Sequence, residues 1–184
     1  QQRTAKVLGK AGISLGGRMI DRWWAKALGA PEPAPQAWLN AAEALKCALS
    51  ETTSAQVVLE SEAGPRPLQG SRRELNNVLD AAGLEQLLDG LLNEVEAAAR
   101  RAGESLDSID AVMAVGGGSA LPWVQQWLQR RLPKTELLVT QPLQAVVLGA
   151  LAMTPALQVM DVLQHGISLR CWDRRLQNQR WHPL

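Results

Sequence analysis

The 184-residue chain has no tyrosine and no phenylalanine, only two cysteines and only two histidines. Cys47 and Cys171 are too few for a disulfide scaffold, so a reducing cytoplasm is the default expectation. His165 and His182 both lie near the C-terminal end, which excludes a His-rich metal site and leaves no catalytic triad pattern. Long hydrophobic runs are missing too. The longest, Ala145 to Met153, falls well short of the ~20 residues a membrane helix needs. There is no excess of charge: 19 basic and 18 acidic residues give a net charge of +1, so no bulk field points to nucleic acid or an anionic membrane. No secretory leader pattern and no initiator Met open the chain at Gln1, which suggests a piece of a longer protein.

What is there has a globular balance, with 46% apolar and 20% charged residues. The aromatic content is seven tryptophans, most of them in helix-like stretches where core packing is the expected role. Residues 3–15 read as strand or hairpin. Met19, Ile20, Trp23, Trp24 and Leu28 recur at helical spacing, and Pro31, Pro33 and Pro35 end that helix. A second helix is predicted at about 36–50, a strand at Gln56–Glu60, and a turn or edge at Gly64–Pro67. Ser71 and Glu74 have the spacing of a capping box. Helix follows to about Arg101, with breaks expected at Gly83 and Gly90 and a core-facing stripe of Leu84, Leu87, Leu88, Leu91, Leu92 and Val95. A short apolar run, Asp110–Val115, ends in Gly116-Gly117-Gly118-Ser119. A helix from Leu121 to Leu132, a strand at Glu136–Thr140 and an Ala-rich helix from Pro142 to Met153 come next. Strand, glycine turn, helix, strand, helix is α/β grammar. Beyond Pro155 lies a strand-like Gly166–Leu169 and a polar, Trp-bearing end.

Three groups of residues bear on chemistry. Gly116–Ser119 joins a buried strand to a helix; glycine there serves either close ligand approach and anion contact or plain steric need. It matches neither a Walker loop nor a dinucleotide fingerprint. Glu43, Lys46 and Ser50 fall on one helical face and either bracket a polar ligand such as a ribose or form a solvated face with a weak ion pair. Gly16-Gly17 is a phosphate-facing turn or an ordinary helix start, the latter being preferred on spacing alone. Arg170, Arg174, Arg175 and Arg180 with Trp172 and Trp181 have the makings of a single-stranded nucleic-acid surface. With a near-zero net charge, an edge strand of a separate domain is the better reading.

In their order along the chain, these motifs resemble the seventy-kilodalton heat-shock chaperone family. Leu15-Gly16-Gly17, with Asp21 four residues on, resembles its leucine-diglycine turn near the nucleotide. Ala42-Glu43-Ala44-Leu45-Lys46-Cys47-Ala48-Leu49-Ser50 resembles its adenosine-contacting helix. Ser108 to Gln125, through Gly116-Gly117-Gly118-Ser119-Ala120-Leu121-Pro122, resembles its adenosine motif. Pro142, Ala145, Val146, Gly149 and Ala150 match its closing helix, Met160-Asp161-Val162-Leu163 its interdomain linker, and Ser168-Leu169 the first strand of its peptide-binding domain.

The resemblance implies an α/β fold: the second lobe of an actin-like ATPase (ribonuclease H-like) with an inserted α+β subdomain. The implied division is 1–17 as the start of the base subdomain, 18–80 as the upper inserted subdomain, 81–154 as the base with the adenosine motif, and 155–184 as linker and first strand of the peptide-binding domain. It implies ATP or ADP with Mg²⁺ in the full-length parent, with Glu43, Lys46, Ser50, Gly116, Gly117 and Gly118 at the adenosine and Gly17 near the phosphates; this chain by itself is expected to bind none tightly. Implied partners are client polypeptides, co-chaperones and the missing N-terminal lobe, with neither nucleic acid nor membrane; the tail is a candidate for self-association. The chain departs from the family where two adenine-flanking arginines become Cys47 and Ala120. The Glu-Asp after the diglycine becomes Arg18-Met19, and the acidic pair after Pro142 becomes Leu143 and Gln144. The expectation is a cytoplasmic chaperone ATPase fragment that is inactive alone. The rivals are a non-catalytic actin-like interaction module and a sugar or acyl kinase of the same superfold.

Overall fold

Tryptophan and leucine build the centre of the molecule. In the computed structural model, residues 3–61, 64–139, 148–149, 157–160, 168–173 and 178–183 are described. Helix α1 (Gly17–Ala27) turns Ile20, Asp21, Trp24 and Ala25 inward. It stops at Gly29, whose φ of +93° lies in the left-handed region that other residues rarely adopt. Helix α2 (Gln36–Glu51) starts after Pro35 and buries Trp38, Ala41, Ala42, Leu45, Lys46 and Leu49, the i, i+3, i+4, i+7 pattern of a half-buried helix. Arg72 fastens its C-terminal end, donating from Nε to the Leu49 carbonyl at 2.8 Å and from Nη2 to the Ser50 carbonyl at 3.2 Å. Those carbonyls have no partner inside the helix, so the guanidinium satisfies them.

Strands β2 (Ser54–Ser61) and β3 (Gly64–Ser71) form an antiparallel hairpin in which Val58 faces Pro67 and Ala55 faces Gly70. Of the two readings of Gly64–Pro67, a turn or an edge, the structure has the edge: it is the start of β3 in a two-stranded sheet. Leu59 points from the hairpin onto Trp38 and Ala41, forming a small second core with Arg66 stacked 4.6 Å over the Trp38 ring. Gly70 allows a close approach: a Cβ there would lie 2.7 Å from Trp24 Cζ2 and 3.1 Å from Leu45 Cδ2.

The capping box forms as the spacing predicts. The Ser71 hydroxyl accepts from the Glu74 amide at 3.3 Å, and Glu74 Oε2 accepts from the Ser71 amide at 2.8 Å. It opens α3 (Arg72–Ala81). Gly83, at φ +74°, separates α3 from α4 (Leu84–Arg101). The second expected break does not occur. Gly90 stays helical on an exposed position, where its cost is only about 1 kcal/mol against alanine. Leu84 is buried and Leu88 and Leu92 pack on the core, but Leu87 is 41% exposed, so the stripe is narrower than expected.

Strand β4 (Ala111–Met113) and β5 (Glu136–Leu138) pair in parallel, joined through a 3₁₀ turn at Gly117–Ala120 and α5 (Pro122–Arg131). Pro122 sits at the first turn of α5, where its missing N–H costs nothing. Leu121, Trp123 and Trp127 join Ile20, Trp24, Leu45, Leu49, Leu75, Leu79 and Leu84 in one apolar cluster. Trp123 Nε1 donates to Asp80 at 2.8 Å and Trp127 Nε1 to Asp89 at 2.9 Å, whereas the buried Trp24 Nε1 finds no hydrogen-bond partner among the described residues. Trp172, in contrast, is exposed.

The two ends behave differently from the expectation. Strand β1 covers only Arg3–Lys6, and no hairpin forms over 3–15. Its partner is β6 (Leu157–Met160), in parallel, with Arg3 opposite Leu157 and Lys6 opposite Met160. The glycines at 9 and 12 disfavour a continuing strand. The chain crosses α4 at Gly9 instead, where a Cβ would lie 2.5 Å from Ala98 Cβ. Met160, where the linker-like segment begins, is thus the last residue of a paired strand, and residues 161–163 lie outside the described ones. The single strand expected near Ser168-Leu169 is one half of a hairpin, β7 (Ser168–Asp173) with β8 (Asn178–Pro183), so one of its edges is already satisfied. The closing helix expected at 142–153, with Leu143 and Gln144, falls almost wholly outside the described residues, as does the end of the predicted strand at Thr140.

Candidate functional site

The centre of the candidate site is an ion pair. Lys46 on α2 and Asp21 on α1 meet at 2.6 Å, Nζ to Oδ1, with side chains only 11% and 7% exposed. The alternative of a solvated Glu43–Lys46 pair on an outer face is thus overturned, because Lys46 points inward. Its ammonium lies against the diglycine turn: a Cβ on Gly17 would be 3.3 Å from Lys46 Nζ. Gly17 therefore leaves room for a charged group beside the backbone, and the turn and the helix are in contact. Burial raises the Asp21 carboxyl above its ordinary range; the hydrogen bond and charge of Lys46 pull it down, and Glu43 pushes it up.

Glu43 is exposed, one turn before Lys46. It lines a cavity of about 390 Å³ between the two helices, together with Arg18, Asp21 and Arg22 from α1 and Gln36 and Asn40 from α2. The Gln36 amide donates to Asn40 Oδ1 at 2.7 Å along that wall. Ser50 is half-buried and donates to the Lys46 carbonyl at 3.2 Å, a bond within its own helix. Cys47 is exposed.

The triple glycine lies in another turn. Gly116 has φ +86°, and the Ser119 hydroxyl donates back to the Gly116 carbonyl at 2.7 Å, which closes the 3₁₀ turn. Gln125 holds the same turn from α5 by donating to the Ser119 carbonyl at 3.0 Å. A Cβ on Gly116 or Gly118 would meet nothing within 4 Å, so these glycines leave open space above the turn. Gly117 is exposed, and Ala120 is half-buried at the end of the turn. The turn and α2 share one apolar cluster through Leu121 and Leu45.

Of the predicted residues, the structure thus joins Gly17 directly to Lys46 and puts Glu43 on the adjoining cavity. Ser50 and Gly116–Gly118 stand on neighbouring elements. The local reading of these residues did not foresee Asp21 as the partner of Lys46. Its signal was an acidic residue inside an apolar stripe, between Ile20 and Trp24. Among the described residues no group of three or more His, Cys, Asp or Glu could hold a metal ion. No helix among them is long and apolar enough to cross a membrane.

A parallel strand pair linked through a glycine turn and a helix, beside a helical unit with a buried Lys–Asp pair at a diglycine, defines an α/β protein built around glycine-lined turns. The family model described as Hsp70 protein matches residues 30–166, and the chain belongs to the Hsp70 family, whose fold is that of the actin-like ATPases. It is similar to the chaperone protein dnaK1 of Prochlorococcus marinus strain MIT 9313, with 36% identity over 112 residues, 60% of this chain and 16% of that protein. The dnaK1 of the subspecies pastoris strain CCMP1986 is 31% identical over 115 residues, 60% of this chain and 17% of the relative. The chaperone protein dnaK of Guillardia theta is 31% identical over 134 residues, 67% of this chain and 20% of its own length. The chain spans a fifth or less of the length of these curated relatives.

Proposed function

We propose that the chain is the adenosine-side second lobe of the nucleotide-binding domain of an ATP-dependent chaperone, with residues 18–80 as its inserted upper subdomain. The observation that carries this is the contact between Gly17 and Lys46. Two motifs that the family resemblance assigns to one nucleotide lie against each other, with Glu43 on the adjoining cavity. Glu43 is free to accept from ribose hydroxyls. One of the three ammonium donors of Lys46 goes to Asp21, and the rest are available beside Gly17. The open turn at Gly116–Gly118 admits a base or ribose closely. The phosphates would bring Mg²⁺, and the missing N-terminal lobe would supply the groups that activate water. A bound nucleotide supplies the phosphoryl chemistry; this chain's own residues bind and orient its adenosine. Clients and co-chaperones belong to the parent, and among the described residues each strand of the tail hairpin has one outer edge for self-association.

The second reading, a non-catalytic interaction module, is favoured by one observation. Lys46 already neutralises a buried carboxylate, which is a structural task needing no ligand. Calorimetric titration of adenosine and ADP into the chain and into its full-length parent separates the two. Binding by the full-length parent that Glu43→Gln weakens is expected, with weak or undetectable binding by the chain alone. Absence of binding in the full-length parent with Mg²⁺ would establish the interaction module instead.

A further inference from the structure

We propose that the cavity between α1 and α2 is an anion site in which Arg18 and Arg22 hold phosphate groups. Arg18 and Arg22 lie one helical turn apart on α1, and both line the cavity of about 390 Å³ that Glu43 borders from α2. That volume is within the range of small-ligand sites. Side chains at this spacing stand about 5–6 Å apart at their Cβ atoms, which suits two linked phosphates or two oxygens of one.

The state of the two guanidiniums is the informative point. Three surface arginines close onto carboxylates, Arg100 onto Glu96, Arg130 onto Glu85 and Arg131 onto Asp89, while among the described residues Arg73 and Arg101 do not. Among the described residues, neither Arg18 nor Arg22 has an ion pair or hydrogen bond, although Glu43 lines the same cavity. Asp21, the other carboxylate there, is engaged with Lys46. Two cations and two carboxylates line the cavity, and because Lys46 holds Asp21, only Glu43 is left to face the two uncommitted arginines. Arginine forks bind phosphate bidentately and more strongly than neutral donors do. Gln36 and Asn40 add amide donors on the facing wall. Position 18 is also where the chain departs from the family pattern, carrying a cation in place of an acid. The phosphate assignment stands on Arg18 and Arg22 alone. A ribose reaching Glu43 from the same ligand rests on the nucleotide reading above.

The test is calorimetric titration with two separate probes, inorganic pyrophosphate into the 184-residue chain and adenosine into the full-length parent. Wild type is compared with Arg18→Gln/Arg22→Gln and with Arg18→Lys/Arg22→Lys. Both arginines are exposed, so thermal melts of the variants should match wild type. Pyrophosphate binding that weakens with salt, falls about tenfold or more in the Gln pair and is partly kept in the Lys pair supports the site. No pyrophosphate binding at millimolar concentration, or equal binding by wild type and the Gln pair, overturns it. Adenosine reports on the other reading: if it fails to bind the full-length parent while pyrophosphate binding by the chain depends on the arginines, the nucleotide reading falls and the anion site is supported.

Discussion

Lys46 and Asp21, 25 residues apart on neighbouring helices, form a buried ion pair of 2.6 Å that fixes where α1 crosses α2. A buried pair is weak evidence for stability as a whole, because desolvation offsets much of the attraction. Losing one partner is another matter.

The first prediction follows from that asymmetry. Lys46→Met should destabilise the chain by about 3 kcal/mol, since it leaves an uncompensated carboxylate among apolar side chains. Adding Asp21→Leu should recover most of the loss. Urea denaturation of the wild type, single and double variants measures both steps. An equal loss in the single and double variants would mean that shape at this crossing, and not charge, is what matters.

A second prediction concerns pH. The Asp21 carboxyl is raised above 3.8, chiefly by burial, so the folded chain takes up this proton before the unfolded one does. This group's contribution to stability therefore grows as pH falls from the folded value towards 3.8. Glu74 has the opposite sign. Its carboxylate is lowered below 4.5 by hydrogen bonds from Ser71, so its contribution is present above that value and is lost as pH falls through the folded one. Stability measured against pH should show the difference between wild type and Asp21→Asn rising on acidification, and that between wild type and Glu74→Gln falling.

Gly70 gives a third. A methyl there would press on Trp24 and Leu45 at distances no ordinary Cβ contact shows. Gly70→Ala should cost about 1–3 kcal/mol by overpacking and shift the Trp fluorescence. Gly90→Ala, with nothing within 4 Å, should be neutral or stabilising by up to about 1 kcal/mol. Thermal melts of the two variants should therefore move in opposite directions.

The fourth addresses the adenine slot. An arginine over a base contributes about 0.5–2 kcal/mol. If Cys47 and Ala120 flank the base, Cys47→Arg with Ala120→Arg should strengthen ADP binding by the full-length parent roughly fivefold or more. Equal affinity in two folded proteins would remove these positions from the site.

The parts of the molecule that were legible in the sequence are those settled within a turn or two of chain. Ser71 and Glu74 announce their capping box because the bonds are three residues long. Gly83 ends a helix and Pro122 starts one for equally local reasons. The glycine turn after β4 was visible for the same cause, and the Trp-bearing helical faces announced the core. What was hidden depends on distant partners. No spacing rule joins Asp21 to Lys46, or tells that Gly70 must pass under Trp24. Leu87 fits the helical period yet is exposed, because nothing among the described residues packs over that edge of α4. The β1–β6 pairing lay furthest out of reach, since short parallel strands carry no turn between them to betray their register.

That pairing also sets an order of assembly. On a ribosome, Arg3–Lys6 leaves the exit tunnel long before Leu157–Met160 is made, so the first strand waits with an open edge while nearly everything between them is synthesised. The helices, the β2–β3 hairpin and the capping box, all local, can form in the meantime. Closure of this strand pair is then the late and slow event, and until it happens the nascent chain presents an unpaired strand of the kind that chaperones hold.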